Sequence, residues 1–397
     1  MADLLSIAEA QRLILERCRR LPAEAIALGA AFGRVVVERA AARIDLPPFP
    51  SSAMDGFAVR AVDTPGRLTV VGHVAAGRPR AGRLRAGEAM GIATGGVVPD
   101  GADAVIPIEH VVEDGNRLTT DRTVTPGENV RPRGGDARAG DPVVVAGTRL
   151  NPVRIGALAA AGVAEVACAA RPRAAVVPTG TELRRPGEPL EPGEIYEANG
   201  LILAAQLTAA GADVEQFPPV GDDEGEHRAV LERALASDVV VTSGGVSVGP
   251  HDLVRRVEAA LGVEEVFWRV AVKPGKPIAF GVRGETLVFG LPGNPVSALV
   301  GFELFVRPAL LALQGTADPL PAFERARLVG SRRRSPERDE LVRARLRPGE
   351  DSMLVEPLSG QESHMIARAA GADALVLVPR GDGEVADGSP VDYLRLG

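Results

Sequence analysis

The chain has 397 residues and a formal net charge of −7, with 45 basic and 52 acidic side chains. This acidic balance argues against a nucleic-acid-binding protein, which normally carries a basic face. A hydrophobic content of 45% supports packed cores and argues against a disordered chain. Two cysteines, Cys18 and Cys168, are too few for a disulfide framework or a zinc cluster, and we expect both to pack as small apolar residues. The length predicts roughly two to four domains.

An amphipathic helix is predicted near the N-terminus. Residues 6–20 place apolar side chains at helical spacing, with Ser6 as the N-cap and Glu9 three residues later, which is the pattern of a capping box. No basic segment followed by an apolar core stands before this helix. We therefore expect no signal peptide and a cytoplasmic location.

Short strands dominate the prediction for the next part of the chain. Runs of β-prone residues at 68–74, 104–108 and 122–124 are separated by Gly- and Pro-rich turns, whereas residues 142–170 return to helix and short strand. The pattern predicts that residues 45–141 form a β-rich module. This module would be inserted into a first domain made of residues 1–44 and 142–170.

Residues 171–317 alternate between predicted strands and helices. The strands are predicted at 174–178, 214–220, 239–242 and 287–290, and the helices at 199–210, 224–236 and 252–261. Such alternation predicts a parallel sheet covered by helices, with ligands bound beyond the carboxyl ends of the strands. Residues 318–397 return to short strands, predicted at 325–329, 341–346 and 374–379, and are expected to form a small β domain.

The segment 47–60, with the sequence PPFPSSAMDGFAVR, is the most constrained part of the chain. Its prolines remove backbone freedom, and Gly56 permits conformations that are closed to other residues. We therefore expect the segment to hold Asp55, the acid directly before this glycine, in one fixed position.

Three further segments follow predicted strands or contain paired cations: 243–249 (SGGVSVG), 273–277 (KPGKP) and 291–298 (LPGNPVSA). Glycines in the first let backbone N–H groups approach an anion, and the two lysines of the second could bind phosphate or another oxyanion. Asn294 and Ser297 of the third offer neutral hydrogen bonds. Each segment also has a plain structural interpretation, as a strand-to-helix turn, a solvated surface turn and a helix cap, respectively.

Several acids stand beside Gly, Pro or strand ends: Asp55, Asp136, Glu182, Asp222 or Asp223, and Asp252. Carboxylates on loops are usually only solvated, and they repel oxyanions. Magnesium gives them a reason to line a phosphate site, because it takes hard oxygen ligands and bridges carboxylates to substrate phosphates.

Seven ordered motifs resemble the MoeA family of molybdopterin molybdenumtransferases, which includes the E domain of gephyrin. They lie at residues 47–60, 94–104, 129–140, 178–183, 243–249, 273–277 and 291–298. The resemblance implies a multidomain α/β and β fold: an elongated N-terminal domain, the inserted β-rich module, an α/β molybdopterin-binding domain with a parallel-rich sheet, and a C-terminal β barrel. It also implies a homodimer whose cleft lies between the α/β domain of one subunit and the inserted module of the other.

The resemblance further implies the reaction and the site. Molybdenum from molybdate is inserted into adenylated molybdopterin while Mg²⁺ assists hydrolysis of the anhydride and AMP is released. The implied catalytic residues are Asp55, Asp136, Glu182, Asp222 and Asp252, of which Glu182, Asp222 and Asp252 would hold or influence Mg²⁺. The implied binding residues are Thr94, Thr179, Gly180, Ser243, Gly244, Gly245, Ser247, Lys273, Lys276, Pro292, Asn294, Pro295 and Ser363, with Asp55, Thr94 and Asp136 reaching the cleft from the partner subunit.

Some positions depart from the family pattern, and two other functions remain open. Phe57 stands where Tyr is frequent and Gly135 where an acid is common, while Asp55 and Glu182 are retained. The alternatives are a catalytically inactive scaffold and an enzyme that handles tungstate. Expected partners are a second copy of the chain, other molybdenum-cofactor biosynthesis proteins and apo-molybdoenzymes, but not nucleic acid or a membrane.

Overall fold

The computed structural model describes residues 4–75, 77, 82–245 and 253–396. The first part of the chain contains α1 (Ile7–Leu15), β1 (Ala23–Ala27), β2 (Ala40–Ala41), β3 (Ser51–Ser52), β4 (Gly56–Val59), β5 (Gly66–Val74), β6 (Glu88–Ile92), β7 (Ala104–Pro107), β8 (Val112–Asp114), β9 (Arg117–Thr120), β10 (Val130–Arg131), β11 (Pro142–Val144), α2 (Pro152–Ala160) and β12 (Glu165–Ala169). The predicted capping box is confirmed: the Ser6 side chain accepts from the Glu9 N–H, and the Glu9 carboxylate accepts from the Ser6 N–H. The helix ends at Leu15, earlier than predicted, because the chain then turns and the Leu21 N–H donates to the Leu313 carbonyl.

Two separated pieces of chain pack together near the N-terminus. Strand β1 pairs with β12 and β2 pairs with β11, both antiparallel. One apolar core joins Val36 from the first piece with Leu150, Leu158 and Cys168 from the second. Cys168 is buried and Cys18 is half-buried, and both are free thiols, as expected for packing residues.

The intervening residues form a six-stranded sheet in the order β7-β4-β6-β5-β9-β8. The predicted strand at 122–124 is wrong, and the strand in this region is β9 instead. The reason is that side chains take the backbone donors there: the Arg122 N–H donates to Thr120 Oγ1 and the Val124 N–H to Thr64 Oγ1. These bonds hold an irregular segment that sequence propensity does not reveal.

The middle of the chain is an α/β unit. It contains β13 (Arg173–Pro178), β14 (Leu183–Arg184), β15 (Ile195–Tyr196), α3 (Asn199–Ala209), β16 (Asp213–Gln216), α4 (Glu224–Ala234), β17 (Val239–Ser243), α5 (Leu253–Ala260), β18 (Glu264–Trp268), β19 (Val272–Lys273), β20 (Ala279–Arg283), β21 (Thr286–Leu291), α6 (Pro295–Gly301) and α7 (Arg307–Leu313). The main sheet has the order β16-β13-β17-β21-β20-β18, in which the first four strands are parallel and the last two antiparallel. The second predicted strand ends at Gln216, before the chain reaches Val220.

Helices α6 and α7 are joined by a turn of π-helix at Phe302–Val306 into one continuous helical run. The run Pro295–Leu313 is long and apolar enough to cross a membrane by length and composition, yet 78% of its most apolar window is buried inside the protein. Its side chains contribute to the largest apolar core, together with β13, β17 and β21. A helix that is apolar on all sides and buried in this way is a core helix of the protein.

The last part of the chain closes into a barrel. It contains β22 (Glu324–Leu328), β23 (Arg332–Arg333), β24 (Asp339–Pro348), β25 (Met353–Pro357), α8 (Ile366–Ala369), β26 (Ala374–Val378), β27 (Glu384–Val385) and β28 (Pro390–Arg395). Pairing runs β24-β25-β22-β28-β26 and returns from β26 to β24, so the five strands form a closed ring. The predicted fold class, a multidomain α/β and β protein with a C-terminal barrel, is confirmed.

Candidate active site

The loops after three parallel strands are hydrogen-bonded to one another at one edge of the sheet. The Thr179 N–H, just after β13, donates to the Ser243 carbonyl at 2.9 Å, and the Gly244 N–H, just after β17, donates to the Leu291 carbonyl at 3.0 Å. The Gly180 N–H reaches the Val220 carbonyl at 2.9 Å. These bonds continue the sheet beyond its regular strands, so the loops share a rim where parallel sheets bind ligands.

A cavity of about 500 Å³ opens at this rim. Two carboxylates, those of Glu182 and Asp222, belong to its wall. The predicted residues that line it are Thr179, Gly180, Glu182, Asp222, Gly244, Gly245, Pro292 and Asn294. The structure therefore brings together segments that lie more than a hundred residues apart in the chain.

Glu182 and Asp222 match the donor chemistry of a magnesium site. Mg²⁺ commonly takes one or two protein carboxylates and completes its coordination with water and substrate phosphates. Among residues 4–75, 77, 82–245 and 253–396, no three His, Cys, Asp or Glu side chains are grouped so as to hold a metal ion by themselves. Glu182 and Asp222 line one cavity, and a site with two carboxylates would leave the other coordination positions to water and substrate phosphates. Asp223, the alternative to Asp222, instead caps α4 by accepting from the Glu226 N–H at 2.8 Å.

Gly244 and Gly245 are required by both conformation and space. Gly244 has φ +101°, and a Cβ there would stand 2.5 Å from the Thr179 carbonyl oxygen. Gly245 has φ +64°, and its Cβ would stand 2.4 Å from Val254 Cγ2. The sequence predicts that the amides of this segment bind an oxyanion. The Gly244 N–H already donates to the Leu291 carbonyl, so it is not free for that role.

A smaller cavity of about 190 Å³ adjoins the first, and Glu182, Ser243 and Asn294 border it as well. Sequence reasoning missed Asn199, which begins α3: its Nδ2 donates to Ser243 Oγ at 2.8 Å and to the Gly293 carbonyl at 2.7 Å. It also missed Glu197, Tyr196 and His364, which line the same cavity. The start of a helix after a short strand was the available signal for Asn199, whereas nothing in the sequence places His364 here.

Glu197 is a buried carboxylate at the start of α3. Its Oε1 accepts from the Gly200 N–H at 2.5 Å. Burial raises the pKa of Glu197, and the backbone hydrogen bonds from Gly200 and Asn199 oppose this effect. This side chain therefore fixes the end of the helix that carries Asn199.

His227, on α4, is a further residue of the larger cavity that sequence reasoning missed. The side chain is 1% exposed, and its Nδ1 has no hydrogen-bond partner. Burial lowers the pKa of His227, against the opposing influence of the Gly221 backbone and nearby carboxylates such as Asp222. A neutral imidazole thus forms part of the wall near neutral pH.

The two lysines of the 273–277 turn face different surroundings. Lys273 Nζ lies 3.3 Å from Glu340 Oε1 of the barrel, and both residues line a separate cavity of about 320 Å³ with Arg332. Lys276 is half-buried, and the next residue, Pro277, lines the 500 Å³ cavity. The turn therefore reaches the cavity of the two carboxylates at Pro277, next to Lys276, whereas the Lys273 ammonium faces Glu340 of the barrel.

Ser363 belongs to the barrel but meets the loop after β21. Asn294 Nδ2 donates to Ser363 Oγ at 2.8 Å, and the Val296 N–H donates to the Ser363 carbonyl at 3.1 Å. Pro295, the first residue of α6, lies between these two contacts and lines the 190 Å³ cavity. The last domain therefore contacts the loop after β21 through two hydrogen bonds of Ser363.

The predicted residues of the inserted module form a second group. Asp55 Oδ1 accepts from the Thr94 N–H at 2.7 Å, and the Ala53 N–H donates to the Asn129 carbonyl at 2.9 Å. The Asp136 N–H donates to the Leu46 carbonyl at 2.9 Å, which ties the third motif to the start of the first. Asp55, Thr94 and Asp136 are all exposed.

Within the described part of one chain, no hydrogen bond joins this second group to the rim of the α/β unit. Ser247 and Asp252, two further predicted site residues, lie outside the described residues.

Comparison with known proteins identifies the α/β unit as a molybdopterin-binding type of domain. Residues 175–312 match the family described as a probable molybdopterin binding domain, residues 5–162 match the MoeA N-terminal region (domain I and II), and residues 325–396 match the MoeA C-terminal region (domain IV). The chain belongs to the MoeA family and to molybdenum-cofactor biosynthesis.

Curated relatives and solved structures agree with this assignment. The chain is 37% identical to molybdopterin molybdenumtransferase 2 of Mycobacterium tuberculosis, over 98% of this chain and 99% of the relative. It is 31% identical to the molybdopterin molybdenumtransferase of Staphylococcus aureus, over 98% and 95% of the two chains. The crystal structure of a molybdopterin biosynthesis MoeA protein from Pyrococcus horikoshii OT3 superposes with a TM-score of 0.86 at 28% identity, covering 99% of this chain and 100% of that one.

Proposed function

We propose that the chain inserts molybdenum from molybdate into adenylated molybdopterin, with hydrolysis of the adenylate and release of AMP. The observation that carries this proposal is the cavity in which Glu182 and Asp222 share a wall with the glycine-rich turn after β17 and with Asn294. The cavity combines carboxylates that can bind a divalent cation, a glycine-rich backbone turn and neutral hydrogen-bond donors. This combination suits a phosphoanhydride better than it suits an uncharged ligand.

The protein's own groups have separable tasks in this reaction. Gly244 and Gly245 let the turn after β17 pack closely on Thr179 and Val254, because neither position has room for a side chain, and this holds the turn at the cavity wall. Lys276 supplies positive charge near the cavity, and Asn294 with Ser363 supplies neutral polar groups. Together they hold the anhydride in one orientation beside the carboxylates. Water forms the new phosphorus–oxygen bond as AMP leaves, and the two dithiolene thiols replace oxygens of molybdate, which leave as water.

Glu182 and Asp222 are the residues that would hold Mg²⁺, with Asp252 as the further candidate from sequence. When bound, this ion supplies charge neutralisation for the anhydride oxygens. Glu182 and Asp222 would keep that charge at the rim, beside the glycine-rich turn after β17.

We further propose that the active unit is a homodimer. On the inserted module, the Asp55 carboxylate is held by the Thr94 N–H. Within the described part of one chain, no hydrogen bond joins these two residues to the α/β rim. A two-fold dimer would supply the missing partner surface, since each module can then face the rim of the other subunit. The proposed division of each subunit is residues 1–44 with 142–170, 45–141, 171–317 and 318–397.

A cytoplasmic location is part of the proposal. Both cysteines are free thiols, and burial raises the pKa of Cys18 to about 12, so this thiol stays protonated and unreactive. Two unpaired thiols suit a reducing compartment.

The direct test is AMP release from adenylated molybdopterin by the purified full chain with Mg²⁺, with and without molybdate. Molybdate-dependent release, giving a product that activates an apo-molybdoenzyme, supports the transferase. Tight binding of the adenylate without turnover would overturn it in favour of a scaffold. Substituting tungstate for molybdate in the same assay separates the two oxyanions.

A further inference from the structure

The side chain of Arg343, on β24, is a buried cation on the outer face of the barrel, since its neighbours Val342 and Ala344 face the barrel core. It is 1% exposed, and among the described residues it forms no ion pair with a carboxylate. Its guanidinium instead donates to backbone carbonyls: to Met365 at 2.7 Å, to Gly360 at 2.7 Å and to Glu362 at 3.1 Å. Burying a guanidinium is costly, and an apolar side chain would fill this buried position at least as well.

The three carbonyls belong to one loop, residues 360–365, and they flank Ser363. The guanidinium bonds all three from two nitrogens at a fixed separation, Nη1 to Met365 and Nη2 to Gly360 and Glu362, and the single nitrogen of an ammonium group does not reproduce this fork. Gln361 adds two bonds between the loop and β24, accepting from the Arg343 N–H at 3.0 Å and donating to its carbonyl at 2.9 Å. Arg343 and Gln361 therefore tie the loop to β24 through hydrogen bonds that do not involve the α/β unit.

Ser363 and His364 of the same loop lie at the candidate site. Ser363 Oγ accepts from Asn294 Nδ2 at 2.8 Å, so the hydroxyl hydrogen remains to be donated to another acceptor. The Ser363 carbonyl accepts from Val296, whose N–H lies in the first turn of α6 and has no acceptor within its own helix. His364, the next residue, lines the 190 Å³ cavity beside Glu182.

We propose that Arg343 is a positioning residue: it clamps the 360–365 loop so that the Ser363 hydroxyl is presented to a tetrahedral oxyanion at the rim. The inference rests on the proposed function for the identity of that oxyanion, but not for the clamp. Arg343 acts through Ser363 and does not touch the substrate.

The test compares R343K with R345K in the full chain. Arg345 is an exposed residue of the same strand whose Nε donates to the Gly371 carbonyl at 3.2 Å, away from the rim, so it is a matched control. Hydrogen exchange at the Val296 amide and across residues 358–366 measures how firmly the loop is held, and this measurement does not require catalytic turnover. We expect exchange there to accelerate by roughly tenfold or more in R343K and to stay at the wild-type rate in R345K.

Steady-state kinetics provide the second readout. R343K should raise the KM for molybdate by about tenfold while kcat changes far less, because it removes an interaction that binds the oxyanion rather than one made only in the transition state. S363A should do the same, and R343K/S363A should be no worse than either single variant, since both act through one hydroxyl. Wild-type exchange at Val296 in a folded R343K, or additive kinetic effects, would overturn the clamp. A wild-type chain that releases no AMP would overturn the proposed function and leave the exchange result standing.

Discussion

The Asp55 carboxylate accepts a hydrogen bond from the backbone N–H of Thr94 at 2.7 Å, which joins the first two sequence motifs of the inserted module. One oxygen of Asp55 is thereby held in place on an exposed surface. The arrangement resembles Asp103, which accepts from the Ala61 N–H at 2.7 Å in the same module. The two aspartates therefore make the same local bond, and only Asp55 stands in the group assigned to the cleft.

The first prediction uses this match. Asp55→Ala and Asp103→Ala should each lower stability by about 1 kcal/mol, because each removes one hydrogen bond to a backbone N–H. Only Asp55→Ala should abolish molybdate-dependent AMP release. Thermal melting and the AMP assay measure the two effects, and equal activity loss in both variants would reduce Asp55 to a structural residue.

The second prediction concerns Glu182. Glu182→Gln should retain binding of adenylated molybdopterin and should lower AMP release by at least about a hundredfold, because a carboxamide is a poor ligand for Mg²⁺. Glu188→Gln is the control, since Glu188 is an exposed acid of the same connection whose carboxylate accepts from the Arg185 N–H. Fluorescence binding and AMP release separate affinity from turnover. Undiminished release from the Glu182 variant would remove it from the metal site.

The third prediction tests the shared cleft by mixing inactive subunits. If Asp55 and Glu182 act across a two-fold dimer, mixing Asp55→Ala with Glu182→Ala should restore roughly a quarter of the wild-type rate, since half the dimers are mixed and each has one intact site. Asp55→Ala mixed with Asp136→Ala should restore nothing, because every site then carries one lesion. Recovery in the second mixture, or none in the first, would contradict the proposed arrangement.

The fourth prediction follows from the buried Glu197. Its pKa is raised in the folded chain by burial, so the native state holds this proton more tightly than the unfolded chain does. The group therefore favours folding at pH values below the unfolded pKa of about 4.5, and this contribution is lost as pH rises through the folded pKa. Glu197→Gln keeps an oxygen acceptor for the Gly200 N–H without the charge. Its melting temperature relative to wild type should rise from pH 4.5 to pH 8, and a difference that is constant with pH would contradict this account.

The fifth prediction concerns Gly56, directly after Asp55. A Cβ there would lie 2.0 Å from the Ile106 carbonyl oxygen, which belongs to the adjacent strand β7. Gly56→Ala should cost about 2–3 kcal/mol, because the strand backbone must move. Gly156→Ala, in α2, meets nothing within 4 Å and should be neutral or stabilising by about 0.5–1 kcal/mol. Melting of the two variants checks the contrast, and equal stability would show that the strands adjust freely.

The sequence by itself determined the features that depend on neighbouring residues. The Ser6–Glu9 cap, the strand Val239–Ser243 and the glycine turn after it follow from hydrogen bonds and apolar runs within a few positions. The parallel order of the first strands and the rim beyond their ends follow from the alternation of strand and helix. The α/β class of this part of the chain could therefore be predicted from the pattern, whereas the individual residues that line the 500 Å³ cavity were implied by the family resemblance.

Only the tertiary structure decided what joins distant parts of the chain. The antiparallel strands β18 and β20, the assignment of Lys273 to Glu340 of the barrel, and the side-chain bonds that replace a strand at 122–124 were not predicted. The clamp of Arg343 on the loop that carries Ser363 is of the same kind. Such contacts depend on which surfaces meet after folding, and local sequence pattern carries no information about partners so far apart.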